Sequence, residues 1–276
     1  MIKSKKDRMY RLIMFLILAV MTLIIILPYI WMLSNSFKTT KETLTDPSHL
    51  IPVNFTLDGY KSVLFGSPFF KWLGNSLLIT CVTAAAVLLT STMVGYLFSK
   101  YRFRGKQFLF MIILATMMVP AQTTMVPSFI IINELGLYDR VWAVIIPACI
   151  NAFGIYLCKQ FCDEIPRELI ESAKIDGAGD FKVFFHIVIP QIKPAIGALG
   201  IFTFLDSWND YLHPLLYLAS TEKMTLPLAL SYFSSQHTSN LSATMAAAAL
   251  IMVPVGIVFV IFQKQFIMSI ALTGMK

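Results

Sequence analysis

The sequence predicts an all-α polytopic membrane protein with six transmembrane helices and one ordered cytoplasmic hairpin. Hydrophobic residues make up 57% of the 276 residues and charged residues only 13%, whereas a soluble domain carries about a quarter of its residues charged. Apolar runs able to cross roughly 30 Å of hydrocarbon, about 20 helical residues each, recur along the chain. The predicted spans are residues 12–33, 74–98, 107–131, 141–162, 195–219 and 244–265.

Basic residues predict the orientation. Sixteen of the 22 Lys and Arg lie before the first span, in the second and fourth connections or in the tail, and six lie in the other connections. Cytoplasmic loops carry the excess of Lys and Arg, so both termini are expected in the cytoplasm. This topology accounts for the net charge of +7, and no nucleic-acid partner is indicated. Membrane lipid is expected to surround the spans.

The N-terminal region has the basic start and apolar run of a secretory signal. No small-x-small cleavage site follows, since the run continues into residues 28–31. We therefore expect an uncleaved first helix. No linker, low-complexity tract or obvious repeat interrupts the chain, which predicts a single transmembrane domain over residues 1–276.

No catalytic or metal-binding constellation is predicted. Cys158 and Cys162 lie one helical turn apart, but no His or carboxylate accompanies them on that face, so packing is the favoured interpretation. The four histidines lack catalytic or ligand spacing, and the chain has no G-x-x-x-x-G-K-[ST] nucleotide motif. These observations argue against an enzyme and against a cofactor on this chain.

The fourth connection, residues 163–194, has a helical pattern of its own. We expect Asp163 to cap a helix with Pro166 in its first turn and Gly177 as the left-handed residue that stops it. Asp180 is expected to cap a second helix that ends before Pro190.

The first helix of this loop is predicted to be two-faced. Ile165, Leu169 and Ala173 are spaced at i, i+4 and i+8, and Arg167, Glu171 and Lys174 are charged neighbours. Such a helix suits a groove on a partner. The alternative is a helix that rests on lipid headgroups.

The same loop resembles the EAA motif of ABC importer permeases. The match consists of Glu171-Ser172-Ala173, three residues, Gly177, nine residues, and Ile187-Val188-Ile189-Pro190, with Ser for the middle Ala and Ile for the Leu before Pro. The resemblance implies a coupling helix that binds an ATPase subunit. Glu171 would pair with an arginine of that partner, or alternatively with Arg167 on its own helix. The implied coupling residues are Arg167, Leu169, Glu171, Ala173, Gly177 and Pro190.

Four further segments resemble the smaller permease of maltose-type carbohydrate importers: residues 28–38, 75–77, 208–211 and 262–276. This resemblance implies import of a carbohydrate, and favours an oligosaccharide, across the bacterial cytoplasmic membrane. It implies a homologous second permease, two ATPase subunits that bind ATP and magnesium, and an extracytoplasmic sugar-binding protein. An ABC permease for another solute, an ion-coupled secondary transporter and a membrane enzyme are the alternatives.

Polar residues within the spans mark a candidate pathway. Asp206, Asn209, Asp210 and His213 follow i, i+3, i+4, i+7 in the fifth span, with Trp208 beside them. Carboxylates, amides and aromatic rings suit a sugar. Asn209 and Asp210 have the alternative role of satisfying backbone groups freed near Pro214. Prolines and polar groups of the third and fourth spans, including Gln122 and Asn151, predict bent helices that flank the same pathway.

The last external loop, residues 220–243, mixes apolar and hydrogen-bonding side chains. It resembles the maltose-type loop that contacts the docked binding protein, which implies contacts by Ser234, Gln236 and His237. The alternative is a surface hairpin whose Leu and Phe side chains rest on the membrane.

Overall fold

The computed structural model describes residues 5–236 and 240–273, with side chains for residues 9–233 and 240–263. These residues form helices and no strand. The helices are α1 (Lys5–Ser36), α2 (Thr40–Thr45), α3 (Asp58–Gly66), α4 (Phe69–Lys100), α5 (Lys106–Thr116), α6 (Ala121–Glu134), α7 (Trp142–Ala148), α8 (Ala152–Asp163), α9 (Arg167–Ile175), α10 (Asp180–Val183), α11 (Ile189–Gln191), α12 (Lys193–Asn209), α13 (Leu212–Tyr217), α14 (Leu226–Gln236) and α15 (Leu241–Thr273).

The helices confirm the predicted all-α membrane class. Four spans are long and apolar enough to cross a bilayer, and two bent helix pairs raise the number to as many as six. The single spans are Met9–Ser36, Phe69–Lys100, Trp142–Asp163 and Leu241–Gln263; the pairs are Lys106–Thr116 with Ala121–Glu134 and Asp180–Gln191 with Lys193–Asn209.

The chain divides into two compact units. The first contains Met1–Phe69 and Leu230–Val253, and the second contains Phe70–Ala229 and Pro254–Lys276. The broken helices, the hairpin of residues 163–194 and the polar residues predicted for the pathway all belong to the second unit.

In the first unit, the end of α1 holds the loop that follows α2. The indole of Trp31 donates to the Pro47 carbonyl at 2.5 Å, and the Ser34 hydroxyl donates to the Leu50 carbonyl at 2.5 Å. The buried Lys38 ammonium donates to the carbonyls of Asp46 and His49 at 3.1 and 2.5 Å. These donors thus pair with four backbone carbonyls of the loop.

This arrangement gives residues 28–38 a structural role. Trp31 and Ser34 lie about one turn apart near the end of α1, so they project from the same side of the helix, and Lys38 follows two residues after the helix ends. The segment therefore holds the loop that follows α2.

The third span bends at Pro120, as predicted. Helices α5 and α6 meet at 99°, and Pro120 has extended backbone angles, φ −60° and ψ 130°. Proline lacks an N–H and restrains the residue before it away from helical angles, so a helix ends at this position.

The fourth and fifth spans are each interrupted by a polar residue. Asn151 is extended between α7 and α8, and its side-chain oxygen accepts from the Gly154 N–H at 2.8 Å. Asp210 is extended between α12 and α13, and its Oδ1 accepts from the His213 N–H at 3.2 Å. Each side chain thus satisfies a backbone donor of the helix it starts.

The break at Asp210 corrects the prediction of a continuous fifth span over 195–219. A proline ring clashes with the carbonyl four residues before it, and Pro214 stands four residues after Asp210. The chain therefore leaves the helix at Asp210 and starts a new one at Leu212.

Close packing of α4 on α8 depends on Gly95. A Cβ atom at Gly95 would lie 2.8 Å from Cys158 Cβ and 2.8 Å from the backbone nitrogen of Lys159. Cys158 and Cys162 are fully buried on this side of α8. The groups of His, Cys, Asp and Glu among the described residues include none with three members placed to hold a metal ion.

Candidate functional site: a coupling hairpin and a polar cavity

The hairpin of residues 163–194 begins with α9, whose two faces differ as the sequence predicts. Ile165 and Ile170 are buried in an apolar cluster with Val183, Phe184 and other residues. Leu169 is 43% exposed and Glu171 is exposed. The buried side attaches α9 to the second unit, and the other side is open to a partner.

The predicted apolar stripe is shifted by one residue. Ile170, and not Leu169, turns into the cluster, and Ala173 packs at its edge. Arg167 and Glu171 form no ion pair with each other in the part of the chain that the structure describes, so the predicted alternative partner of Glu171 is not used.

Gly177 ends α9 in the predicted left-handed conformation, with φ +82°. Its N–H donates to the Lys174 carbonyl at 3.0 Å, and the Ala178 N–H donates to the Ala173 carbonyl at 2.9 Å. These two bonds are those of a Schellman stop, which satisfies the last carbonyls of a helix.

Asp163 and Asp180 do not cap the helices that the sequence assigned to them. Asp163 is the last residue of α8, and its carboxylate accepts from Ser99 Oγ at 2.7 Å and from Lys159 Nζ at 2.6 Å. Pro166 and Gly179 hold the two cap positions. The sequence has the capping patterns, but both carboxylates accept hydrogen bonds from other side chains, including the ammonium groups of Lys159 and Lys174.

Asp180 instead joins the two arms of the hairpin to the end of α4. Its Oδ1 accepts from the Tyr101 hydroxyl and the Lys174 ammonium, each at 2.8 Å. The hydrogen bond to Asp180 is the main cause that raises the pKa of Lys174. Burial and the hydrogen bond to Asp180 raise the pKa of Tyr101.

The second arm does not stop before Pro190, contrary to the prediction. A π-helical turn, Phe184–Val188, follows α10, and its end is marked by the Ile189 N–H donating to the Phe184 carbonyl. Pro190 then lies inside α11. Proline removes one helical hydrogen bond, and the wide turn before it lets the chain continue.

A cavity of about 1180 Å³ lies in the second unit, walled by segments of α4 to α8, α12 and α13. It brings together five of the seven residues predicted for the pathway: Asn151, Asp206, Asn209, Asp210 and His213. The helix breaks of the third, fourth and fifth spans all border it. Broken helices expose polar backbone, which membrane proteins tolerate against such a cavity.

Two predicted pathway residues lie elsewhere. Trp208 is buried, at 1% exposure, and its ring stacks on Phe204 with centroids 5.8 Å apart. Gln122 is exposed on α6 and is not in the cavity wall. Trp208 was assigned to the pathway as an aromatic neighbour of the polar stripe, and Gln122 as a polar residue of the bent third span.

The structure adds cavity residues that the sequence analysis missed. Tyr217 lines the cavity from the fifth span, and Thr83 and Thr203 line it from α4 and α12. Tyr217 lies three residues after Pro214, so the proline that breaks the span was the available signal. Isolated threonines in an apolar helix gave no such signal.

His213 and Asp210 form the closest polar pair of the cavity. His213 Nδ1 lies 2.9 Å from Asp210 Oδ2, while Asp210 Oδ1 accepts from the His213 backbone. Asp210 thus has both roles that the sequence left open, since it satisfies backbone at the break and also lines the cavity.

Residues 219–226, which the sequence predicts to be external, are held by a set of hydrogen bonds that we name the outer clasp. Asp139 has a positive φ of 57°, which is uncommon outside glycine. Its carboxylate accepts from the backbones of Ala219 and Ser220 and from the side chains of Ser220 and Lys223. Burial opposes ionisation of Asp139, but these donors outweigh burial and hold its pKa below the usual range.

The start of α4 completes the outer clasp. Trp72 Nε1 donates to the Thr221 carbonyl at 2.6 Å, and Asn75 donates to the carbonyls of Glu222 and Met224. Ser76 Oγ accepts from the Leu226 N–H at 2.7 Å, which is the start of α14. These contacts explain residues 75–77, one of the segments singled out in the sequence.

The loop of residues 220–243 contains the helix α14, which the sequence analysis missed. Leu226, Leu228 and Phe233 are each 2% exposed, so the alternative that the loop's Leu and Phe rest on the membrane is wrong. Pro227 in the first turn was the usable signal. His237 lies outside the described residues, as do the side chains of Ser234 and Gln236.

Comparison with known proteins gives the class. A family model described as "Binding-protein-dependent transport system inner membrane component" matches residues 91–270. The chain belongs to this family. It is a permease subunit of an ABC importer, a multi-pass protein of the inner membrane.

Individual relatives cover nearly the whole chain. The arabinooligosaccharides transport system permease protein AraQ of Bacillus subtilis (strain 168) is 35% identical over 277 residues, 99% of this chain and 98% of that protein. The galactooligosaccharides transport system permease protein GanQ of the same organism is 31% identical over 284 residues and covers 100% of both chains. A crystal structure of a bacterial ABC transporter involved in the import of the acidic polysaccharide alginate matches with a TM-score of 0.84 and 26% identity, covering 96% of this chain and 99% of that chain.

Proposed function

We propose that this permease subunit imports an oligosaccharide by alternating access, with both termini in the cytoplasm. The observation that carries the proposal is the cavity of about 1180 Å³, which gathers amide, carboxylate, imidazole and phenol groups at three helix breaks. Such groups bond sugar hydroxyls, and aromatic rings cover the apolar face of a pyranose. Relatives named for arabinooligosaccharide and galactooligosaccharide transport support the same substrate class.

The driving force would come from two ATPase subunits that bind ATP and magnesium. Their closure would be transmitted through the exposed side of α9, with Leu169 in the partner's groove and Glu171 paired with a partner arginine. Arg167 and Ala173 would border that contact, while Gly177 and Pro190 set the shape of the hairpin. A homologous second permease would close the other side of the pathway.

An extracytoplasmic sugar-binding protein would deliver the substrate to the external side. We assign this contact to the end of α14 and the residues after it, including Ser234, Gln236 and His237. Deleting residues 235–238 should lower uptake and weaken the stimulation of ATPase activity by loaded binding protein, while basal ATPase activity stays near normal. Unchanged uptake and stimulation would remove this contact from the proposal.

The test of the substrate class uses the complete complex in proteoliposomes. Radiolabelled arabinan- and galactan-derived oligosaccharides are supplied with the cognate binding protein outside and ATP inside. We expect uptake that requires ATP and is competed by unlabelled oligosaccharide. Uptake that runs on an ion gradient without ATP would indicate a secondary transporter, and ATP-driven uptake of a solute other than carbohydrate would overturn the carbohydrate assignment.

A further inference from the structure

The charge of the cavity has a consequence for its substrate. Two aspartates, Asp206 and Asp210, line the cavity, and its described lining residues include neither lysine nor arginine. Asp210 is partly compensated, because its carboxylate contacts the His213 ring and backbone. Asp206 forms no hydrogen bond or ion pair with the described residues, and it is exposed. Among the described lining residues, Asp206 is therefore a carboxylate with no hydrogen-bonded or ion-paired partner.

A second, separate observation is an unpaired hydroxyl in the wall of the same cavity. Thr83 lines the same cavity from α4 and is only 3% exposed, and its hydroxyl oxygen has no hydrogen-bond partner among the described residues. Buried hydroxyls in folded proteins are nearly always paired. A small shift of α4 would bring the Thr83 hydroxyl to the cavity surface, where a sugar hydroxyl would pair with it without adding charge.

We infer that Asp206 makes this pathway selective for neutral or cationic saccharides and unfavourable for saccharides that carry carboxylates. The inference rests on the proposed carbohydrate pathway. A neutral sugar donates its hydroxyl hydrogens to the aspartate in charge-assisted bonds. A uronate carboxylate near Asp206 is repelled, and repulsion between like charges is strong in a confined, partly desolvated site. The solved relative, in contrast, serves the import of the acidic polysaccharide alginate.

The charge of the cavity can be measured with thiol reagents of opposite charge, independently of the binding protein. Ser207 lines the cavity next to Asp206, so Ser207→Cys is the reporter position. The complex carries Cys81→Ser and Cys149→Ser, while the fully buried Cys158 and Cys162 are kept. The probes are methanethiosulfonates with a trimethylammonium or a sulfonate group, and their rates are normalised to a free thiol. The same complex without Ser207→Cys gives the background rate.

We expect the cationic reagent to react about tenfold faster than the anionic one, the size of effect that one nearby unit charge produces in a partly screened site. Asp206→Asn should remove most of this preference, and Asp206→Glu should retain it. Glu134→Gln removes the same charge from an exposed position outside the cavity wall and should leave the rate ratio unchanged. The preference should also weaken with added salt.

A rate ratio that is the same in Asp206→Asn as in the parent would overturn the inference. Uptake of a neutral oligosaccharide by the same proteoliposomes is measured separately. Neutral-sugar uptake with an unaltered rate ratio leaves the proposed function standing and removes the charge selectivity. Failure of all carbohydrate uptake, despite an Asp206-dependent ratio, overturns the proposed function and with it the saccharide selectivity.

Discussion

At the scale of single residues, Gly177 determines where α9 ends. Its φ of +82° lies in the left-handed region, where a residue with a Cβ is strained. Open space surrounds the position, since a Cβ added at Gly177 would have no atom within 4 Å. The requirement for glycine is therefore conformational and not steric.

Gly177→Ala should destabilise the end of α9 by about 1 kcal/mol, the cost of left-handed backbone for a residue with a Cβ. We expect lower uptake and weaker ATPase coupling in the assembled complex. Gly179→Ala is the matched control, because Gly179 has an ordinary φ of −69° and equally open surroundings. Equal behaviour of the two variants would contradict this account of the turn.

At the scale of elements, the outer clasp ties α4 and the turn before α7 to the segment that leads into α14. Asp139 accepts four hydrogen bonds there, one of them from a lysine ammonium. Removing the carboxylate leaves the backbone donors of Ala219 and Ser220 without their acceptor. The clasp therefore depends strongly on one side chain.

Asp139→Ala should cost about 2 kcal/mol or more, since it leaves part-buried donors unpaired. We expect a thermal midpoint of the purified complex that is several degrees lower. Asp58→Ala should not change it, because Asp58 is exposed and its ion pair with Lys61 is 3.7 Å long. A midpoint unaffected by Asp139→Ala would show that the clasp contributes little to stability.

The number of spans, the hairpin and most of the cavity could be predicted from hydropathy and motif spacing, because these depend on periodic apolar patterns. The helix break at Asp210 could have been predicted only by noting that the Pro214 ring clashes with the carbonyl four residues before it. The partners of Asp163 and Asp180 could not be predicted, since Ser99 and Tyr101 come from a distant part of the chain. Capping propensity is local, and tertiary donors overrode it.

At the scale of the whole molecule, the distribution of Lys and Arg predicts one orientation. The thiol of Asp180→Cys should react with a membrane-impermeant reagent only from the cytoplasmic side. The thiol of Glu222→Cys should react only from outside. Both positions are exposed, and the background lacks the native cysteines. The reverse pattern of labelling would overturn the orientation.

In the whole molecule, α9 is the proposed mechanical link between ATP hydrolysis and the cavity. Its buried side is anchored in the second unit through Ile170, with Ile165 just before the helix in the same cluster, and its open side carries Glu171. A change of charge at Glu171 should therefore interrupt the link without disturbing the fold. Glu168 is exposed on the first turn of the same helix and provides the matched position.

The most direct measurement is ATP-dependent oligosaccharide uptake by the complete complex in proteoliposomes, compared between Glu171→Lys and Glu168→Lys. We predict that Glu171→Lys lowers uptake at least tenfold, since reversal of one charge in a close pair costs about 2 kcal/mol or more. Membrane insertion should be normal, and Glu168→Lys should retain most of the uptake. Normal uptake by Glu171→Lys, with ATPase activity still stimulated by loaded binding protein, would contradict the assignment of α9 as the coupling helix.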